Sequence, residues 1–152
     1  MVVFAEVPDE ISLAISIAGC PCRCPACHSQ HLWDNDGTPL DDTELDNLLA
    51  ANAGITCVAF MGGDAEPAAV AALADRVKAK GLKTCWYSGR GLEDDMKWAH
   101  HYDYLKTGPY IEGRGPIDIP TTNQRFFVVI PIWEGTSLML ADITYKFQKR
   151  TP

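Results

Sequence analysis

Short apolar runs recur along the chain at Ile11–Ala18, Ile55–Met61, Leu82–Tyr87, Tyr102–Leu105 and Phe126–Ile130. Each is rich in β-branched or aromatic residues and mostly bounded by Gly, Pro or Asn, as buried strands are. Helical spacing fills the gaps. Over Asp42–Ala53, Leu45, Leu48 and Leu49 share one face, Asp41 with Glu44 three residues later reads as a capping box, and Gly54 supplies the stop. Pro67 opens a second helix over Pro67–Lys80, since its missing N–H costs nothing in the first turn. Val70, Leu73, Ala74 and Val77 repeat along that helix, and Lys78, Lys80 and Gly81 close it. A third, shorter helix is predicted over Leu92–His100, and the Gly- and Pro-rich stretch Thr107–Thr122 reads as an ordered loop.

Strands alternating with helices imply an α/β fold of parallel βαβ units, with ligand sites at the C-terminal ends of the strands. With 152 residues, the chain falls short of the roughly 250 that a closed eight-unit barrel needs. The expected architecture is an incomplete, open-sided (βα) partial barrel, a single domain over 1–152, with an open side that needs a cover. An apolar fraction of 47% supplies one core without disulfides. A formal charge of −7 with no cluster of Lys and Arg argues against a nucleic-acid partner. Glu6, Pro8, Asp9 and Glu10 break up the N-terminal apolar runs and no basic stretch precedes them. Neither a signal peptide nor a membrane span is therefore expected, and the expected location is cytoplasmic.

Cysteine usage adds chemistry to this frame. Of the 6 cysteines, Cys20, Cys22, Cys24 and Cys27 crowd onto one loop after the first predicted strand, and in a reducing compartment such crowding favours metal over cystine. Cys20, Cys24 and Cys27 have the spacing C-x3-C-x2-C, close enough to wrap one cube. Iron–sulfur clusters usually take four cysteines, so three leave one iron free for a substrate or cofactor. Cys22, Cys24 and Cys27 with His28 or His31 also match the donor types of a tetrahedral zinc site, without the distant second ligand pair such sites usually have. Cys57 and Cys85 fall inside strand patterns and read as small buried hydrophobes.

The cysteine spacing and its place after the first strand resemble the radical S-adenosylmethionine superfamily. That resemblance implies a site-differentiated [4Fe–4S] cluster on Cys20, Cys24 and Cys27, with the free iron chelating the amino and carboxylate groups of S-adenosyl-L-methionine. One electron then cleaves the sulfonium to methionine and a 5′-deoxyadenosyl radical, the cofactor carrying the hard step. Gly62-Gly63-Asp64, after the second strand, resembles the superfamily's Gly-Gly-Glu motif, which binds the cofactor's ammonium through backbone oxygens and the acid. Asp64 replaces Glu with a shorter reach. By themselves, two glycines most often make only a turn. The expected cofactor contacts are Ala26, Cys27, His28, Gly62, Gly63, Asp64 and Ser88.

Further motifs narrow the resemblance. Trp33, Ala26 before the last cysteine, Trp86-Tyr87-Ser88-Gly89, Lys106-Thr107-Gly108-Pro109-Tyr110 and Asn123-Gln124-Arg125 are, taken together and in this order, similar to the activating proteins of class III anaerobic ribonucleotide reductases. Taken singly, the tryptophans read as core, Ser88-Gly89 as a strand-to-helix turn and Asn123-Gln124-Arg125 as a polar turn before a strand. Thr107-Gly108 stands where family members often have Asp-Gly, so no acidic role is carried over there, and Lys106 is a candidate carboxylate contact. His31, His100 and His101 form no constellation and read as surface or helix-end packing, and no acid–base pair points to hydrolysis. The resemblance implies a glycyl-radical activase acting on the large glycyl-radical subunit of anaerobic ribonucleotide reductase. It also implies an electron donor such as flavodoxin, and no nucleic acid or membrane. Activation of another glycyl-radical enzyme, nucleoside modification, or a non-enzymatic zinc or electron-transfer role are the alternatives.

Overall fold

Asp41 and Pro67 start helices where the sequence places them. In the computed structural model, whose described residues are 1–17, 40–132 and 137–148, Asp41 Oδ1 accepts the Glu44 N–H at 2.8 Å and opens α1 (Asp42–Ala51). The second helix, α2 (Pro67–Ala79), begins on its proline and stops before Gly81, whose φ of 82° suits a residue without Cβ.

All five predicted strands form, as β2 (Ser12–Ile17), β3 (Cys57–Gly62), β4 (Lys83–Tyr87), β5 (Tyr104–Thr107) and β6 (Arg125–Pro131). Two strands escaped the sequence reading. The two-residue β1 (Val2–Val3) pairs antiparallel with β2, and β7 (Leu138–Asp142) pairs antiparallel with β6. Its sequence, Leu-Met-Leu-Ala-Asp, has no β-branched residue, so the ladder with β6 sets its conformation. The result is a mixed α/β fold on one open seven-stranded sheet, ordered β1 to β7 as in the chain. Parallel pairing is confined to β2 through β5, and β6 runs antiparallel to β5. The expectation of parallel units thus stops at β5, because no crossover helix forms between Gly108 and Gln124 and an antiparallel return needs none.

Leu92–His100 is likewise not one α-helix. A single turn, α3 (Leu92–Asp95), passes into a 3-10 helix over Met96–His101. Trp98, His100 and His101 have modest helix propensity, and the segment is fixed instead by burial of Ala99 and Tyr102.

Among the described residues, α1, α2, α3 and the 3-10 helix after α3 pack on one face of the sheet. Leu45 of α1, Val70, Leu73, Ala74 and Val77 of α2, and Ala99 join Leu13, Val58, Phe60, Trp86, Leu105 and Val129 in one core. The opposite face carries Cys57, Ala59, Cys85, Tyr104 and Phe126, under Val7, Ile117, Ile143 and Phe147 from non-helical connections and the C-terminal 3-10 turn (Thr144–Phe147). Among the described residues no helix is long and apolar enough to cross a membrane.

Candidate functional site

The C-terminal ends of β2 to β5 form one rim, and β3 meets β2 there at close range. Ile17, the last residue of β2, pairs with Gly62, the last of β3. Gly62 and Gly63 have φ of 98° and 82°. A Cβ on Gly62 would fall 2.7 Å from the Ile17 carbonyl oxygen, and one on Gly63 would fall 2.5 Å from Val70 Cγ2. Both conformation and space therefore demand glycine. Trp86 fixes the turn from below, its Nε1–H donating to the Gly62 carbonyl at 2.8 Å while its ring stacks on Tyr102 with centroids 5.6 Å apart.

The next turn along the rim is tied to this one through Asp64. Its buried Oδ1 accepts from Ser88 Oγ at 2.9 Å and from Gly89 N–H at 3.1 Å. Arg90 donates to the Asp64 carbonyl at 2.9 Å, and its Nε stands 4.0 Å from the carboxylate. The third turn follows: Ser88 N–H donates to the Lys106 carbonyl at 2.9 Å, and Gly108 N–H donates to the Arg90 carbonyl at 2.7 Å. Asn123 and Gln124 close the end of the rim, donating from their side chains to the Pro109 carbonyl at 3.0 Å and the Gly108 carbonyl at 3.5 Å. Hydrogen bonds thus link the turns after β3, β4 and β5 to one another.

Beneath this rim on the helix side lies a cleft of about 150 Å³ lined by Asp64, Trp86, Arg90, Asp95, Lys97 and Trp98 among others. Asp95, fully buried, stands 2.9 Å from Ser88 Oγ through its own Oδ1. Burial pushes its carboxyl up to about 6, and the charges of Asp64 and Asp94 push the same way.

The chain also carries a family signature across this rim. The family model for a 4Fe-4S single cluster domain matches residues 11–114, from the start of β2 into the loop after β5. The chain belongs to that family. No curated protein and no solved structure matches it.

Membership as a 4Fe-4S single cluster domain makes a [4Fe–4S] cluster the expected metal group. The predicted cluster ligands Cys20, Cys24 and Cys27, with Ala26, His28, Cys22, His31 and Trp33, lie outside the described residues. What is fixed is where their segment begins, at the end of β2 beside the Gly62–Gly63 turn. Among the predicted cofactor contacts, Gly62, Gly63, Asp64 and Ser88 do come together, but two of them face inward. The Asp64 carboxylate and the Ser88 hydroxyl are both buried and bonded to each other. Cys57 and Cys85 are buried free thiols on the opposite face from the helices. Burial pushes Cys57 up to about 12 and Cys85 well above the usual thiol range, so neither offers a ready thiolate. The His101 ring pairs with Asp75 at 2.8 Å at a helix end, the packing role expected of it.

Sequence reasoning missed Asp95 and Arg90 and gave Trp86 only a packing role. Asp95 left a trace: it falls three residues after Leu92 and four before Ala99, on what would be the apolar face of the predicted helix. Nothing in the local pattern marks Arg90, whose partner is 26 residues away.

Proposed function

We propose that this iron–sulfur domain is a radical S-adenosylmethionine activase. It would reductively cleave S-adenosyl-L-methionine at its [4Fe–4S] cluster and generate a glycyl radical on anaerobic ribonucleoside-triphosphate reductase. The observation that carries the reading is the Ile17–Gly62 register. It sets Ile17, the last described residue before the cysteine segment, against a glycine-only turn whose backbone a bound amino acid moiety can approach. Further support comes from the winding: four parallel strands in chain order, with the described α-helices on one face, resemble a piece of a singly wound barrel more than a doubly wound sheet.

The residues present fit both groups. Three thiolates would supply a cubane with one iron open, and the Gly62–Gly63 backbone, its carbonyls held by the Trp86 Nε1–H and the Glu66 N–H, puts no side chain of its own in a ligand's way. Bound together, the groups supply one-electron cleavage of the sulfonium, yielding methionine, 5′-deoxyadenosine and a glycyl radical, with the electron from a donor such as flavodoxin. The chain's own residues shape the site. Trp86 holds the Gly62 carbonyl in place, while Asp64 braces the turn against Ser88 and Gly89 and acts on the cofactor through the backbone. Cys20, Cys24 and Cys27 hold the cluster in this reading, and Ala26 and His28 flank it.

Anaerobic reconstitution tests this. The expected result is brown protein with about four irons per chain, an EPR signal that changes on adding S-adenosylmethionine, and a glycyl EPR signal on the reductase's large subunit after incubation. Colourless protein holding zinc overturns the enzyme reading. An S-adenosylmethionine response with no radical on that subunit overturns the partner.

A further inference from the structure

Ser88 stands between two carboxylates with one proton to give. Its Oγ lies 2.9 Å from Asp64 Oδ1 and 2.9 Å from Asp95 Oδ1, and it accepts the Arg90 N–H at 2.9 Å. Both short contacts are hydrogen bonds only if one carboxyl brings a proton of its own. Asp64 has other donors, the Gly89 N–H and the nearby Arg90 guanidinium. Asp64 Oδ2 and Asp95 Oδ2 both lack a partner among the described residues, but Asp95 is completely enclosed and Ser88 is the one partner its carboxyl has there. The consistent arrangement runs one way: Asp95 O–H donates to Ser88, whose hydroxyl donates to Asp64.

We propose that Asp95 is a positioning residue for cofactor binding: protonated, it completes a proton chain through Ser88 that locks Asp64, and with it the Gly62–Gly63 turn, to the Ser88–Arg90 turn. This rests on the reading of the site under Proposed function. When Asp95 ionises, two buried anions compete for one hydroxyl proton and the brace on Gly62–Gly63 weakens. The charges facing Asp95 decide where that happens. Asp64 arrives from the β3–α2 turn and Asp94 from its own helix, and both hold the proton on; Arg90 from the β4–α3 turn opposes them. Lys97 stands on the cleft wall, α2 presents Pro67 and no charge there, and the buried Tyr102 hydroxyl feels both Asp95 and Asp64. The raised Asp95 carboxyl, about 6, puts the switch close to neutral pH. Cofactor binding then takes up a proton.

The test uses anaerobically reconstituted full chain, native, Asp95→Asn and Ser88→Ala. Equilibrium binding of S-adenosylmethionine is measured from about pH 5.5 to about pH 8, where the native protein should lose about tenfold in affinity. Asp95→Asn keeps a donor toward Ser88 without titrating, so its affinity should stay flat. Ser88→Ala should bind weakly at every pH. A second readout needs no cofactor: the Gly89 amide NMR shift should follow one titration in the native chain and none in Asp95→Asn. Equal pH profiles for native protein and Asp95→Asn, while S-adenosylmethionine still binds, overturn the proposal and leave the functional reading standing. Absence of binding at every pH with an intact cluster overturns the functional reading instead. The Gly89 titration then decides the proton chain on its own, and a Gly89 shift that titrates alike in both proteins overturns it.

Discussion

Trp86 carries two loads in one side chain, a stack on Tyr102 and a hydrogen bond to the Gly62 carbonyl. Trp86→Phe keeps most of the first and deletes the second, stranding a buried acceptor. Urea unfolding should show a loss of about 1–2 kcal/mol. Gly63→Ala is worse, because the new Cβ meets Val70 Cγ2 at 2.5 Å with the backbone at φ 82°. Strain and overpacking together should remove about 2–4 kcal/mol in the same assay. Asp95 adds a pH signature. Its folded carboxyl is raised from the ordinary 3.8 to about 6, so the native state holds a proton that the unfolded chain has released. Stability should therefore be greatest below about pH 4 as far as this group goes and fall as pH rises to about 6, by about 3 kcal/mol in all. Asp95→Asn should abolish that slope in urea midpoints taken across the range.

At the scale of elements, the two ends of the parallel strands have different work. At the N-terminal end, buried Glu10 accepts from Tyr104 OH at 2.9 Å, pairs with Lys83 Nζ at 3.0 Å and accepts from Thr56 Oγ1, tying together the starts of β3, β4 and β5. Burial alone would raise its carboxyl, but the bonds from Thr56, Lys83 and Tyr104 hold it below the usual range. Its stabilisation is thus present at neutral pH and lost as pH falls through the carboxylate range. Glu10→Ala should cost about 2–3 kcal/mol in urea unfolding, yet leave the iron content of reconstituted protein unchanged. Iron loss without instability would mean that this end also serves the cluster. The same scale shows why the helix starts were readable. Asp41 acts through a bond to a residue three positions on and Pro67 through its own ring and missing N–H, whereas β7 and the antiparallel turn of β6 depend on partners across the sheet.

For the molecule as a whole, the distribution of cysteines separates structure from chemistry. Cys57 and Cys85 sit in a packed face of the sheet with thiols that burial keeps protonated. Cys57→Ala and Cys85→Ala should each keep about four irons per chain after reconstitution, at a modest cost in stability. Cys20→Ala, Cys24→Ala and Cys27→Ala should each abolish cleavage of S-adenosylmethionine, and Cys22→Ala should retain it. Loss of cleavage in Cys22→Ala would reassign the cluster ligands.

The amino-acid sequence alone determined what depends on neighbours along the chain. The cysteine spacing, the five apolar strands, the Asp41 cap and the glycine pair after β3 all express short-range chemistry, which periodicity and residue type record directly. It could not say what the acid after those glycines would touch. Asp64 reads as a cofactor ligand when only its motif is visible; folding turns its carboxylate to Ser88 and Gly89, 24 and 25 residues on. Asp95, seven residues past Ser88, completes that group. Such a site exists only once parallel pairing has brought the ends of β3 and β4 side by side, because hydrogen bonds are selected by distance in space and leave no period in the chain. The tertiary structure decided which acid braces the glycine turn, and the sequence decided that there would be a glycine turn to brace.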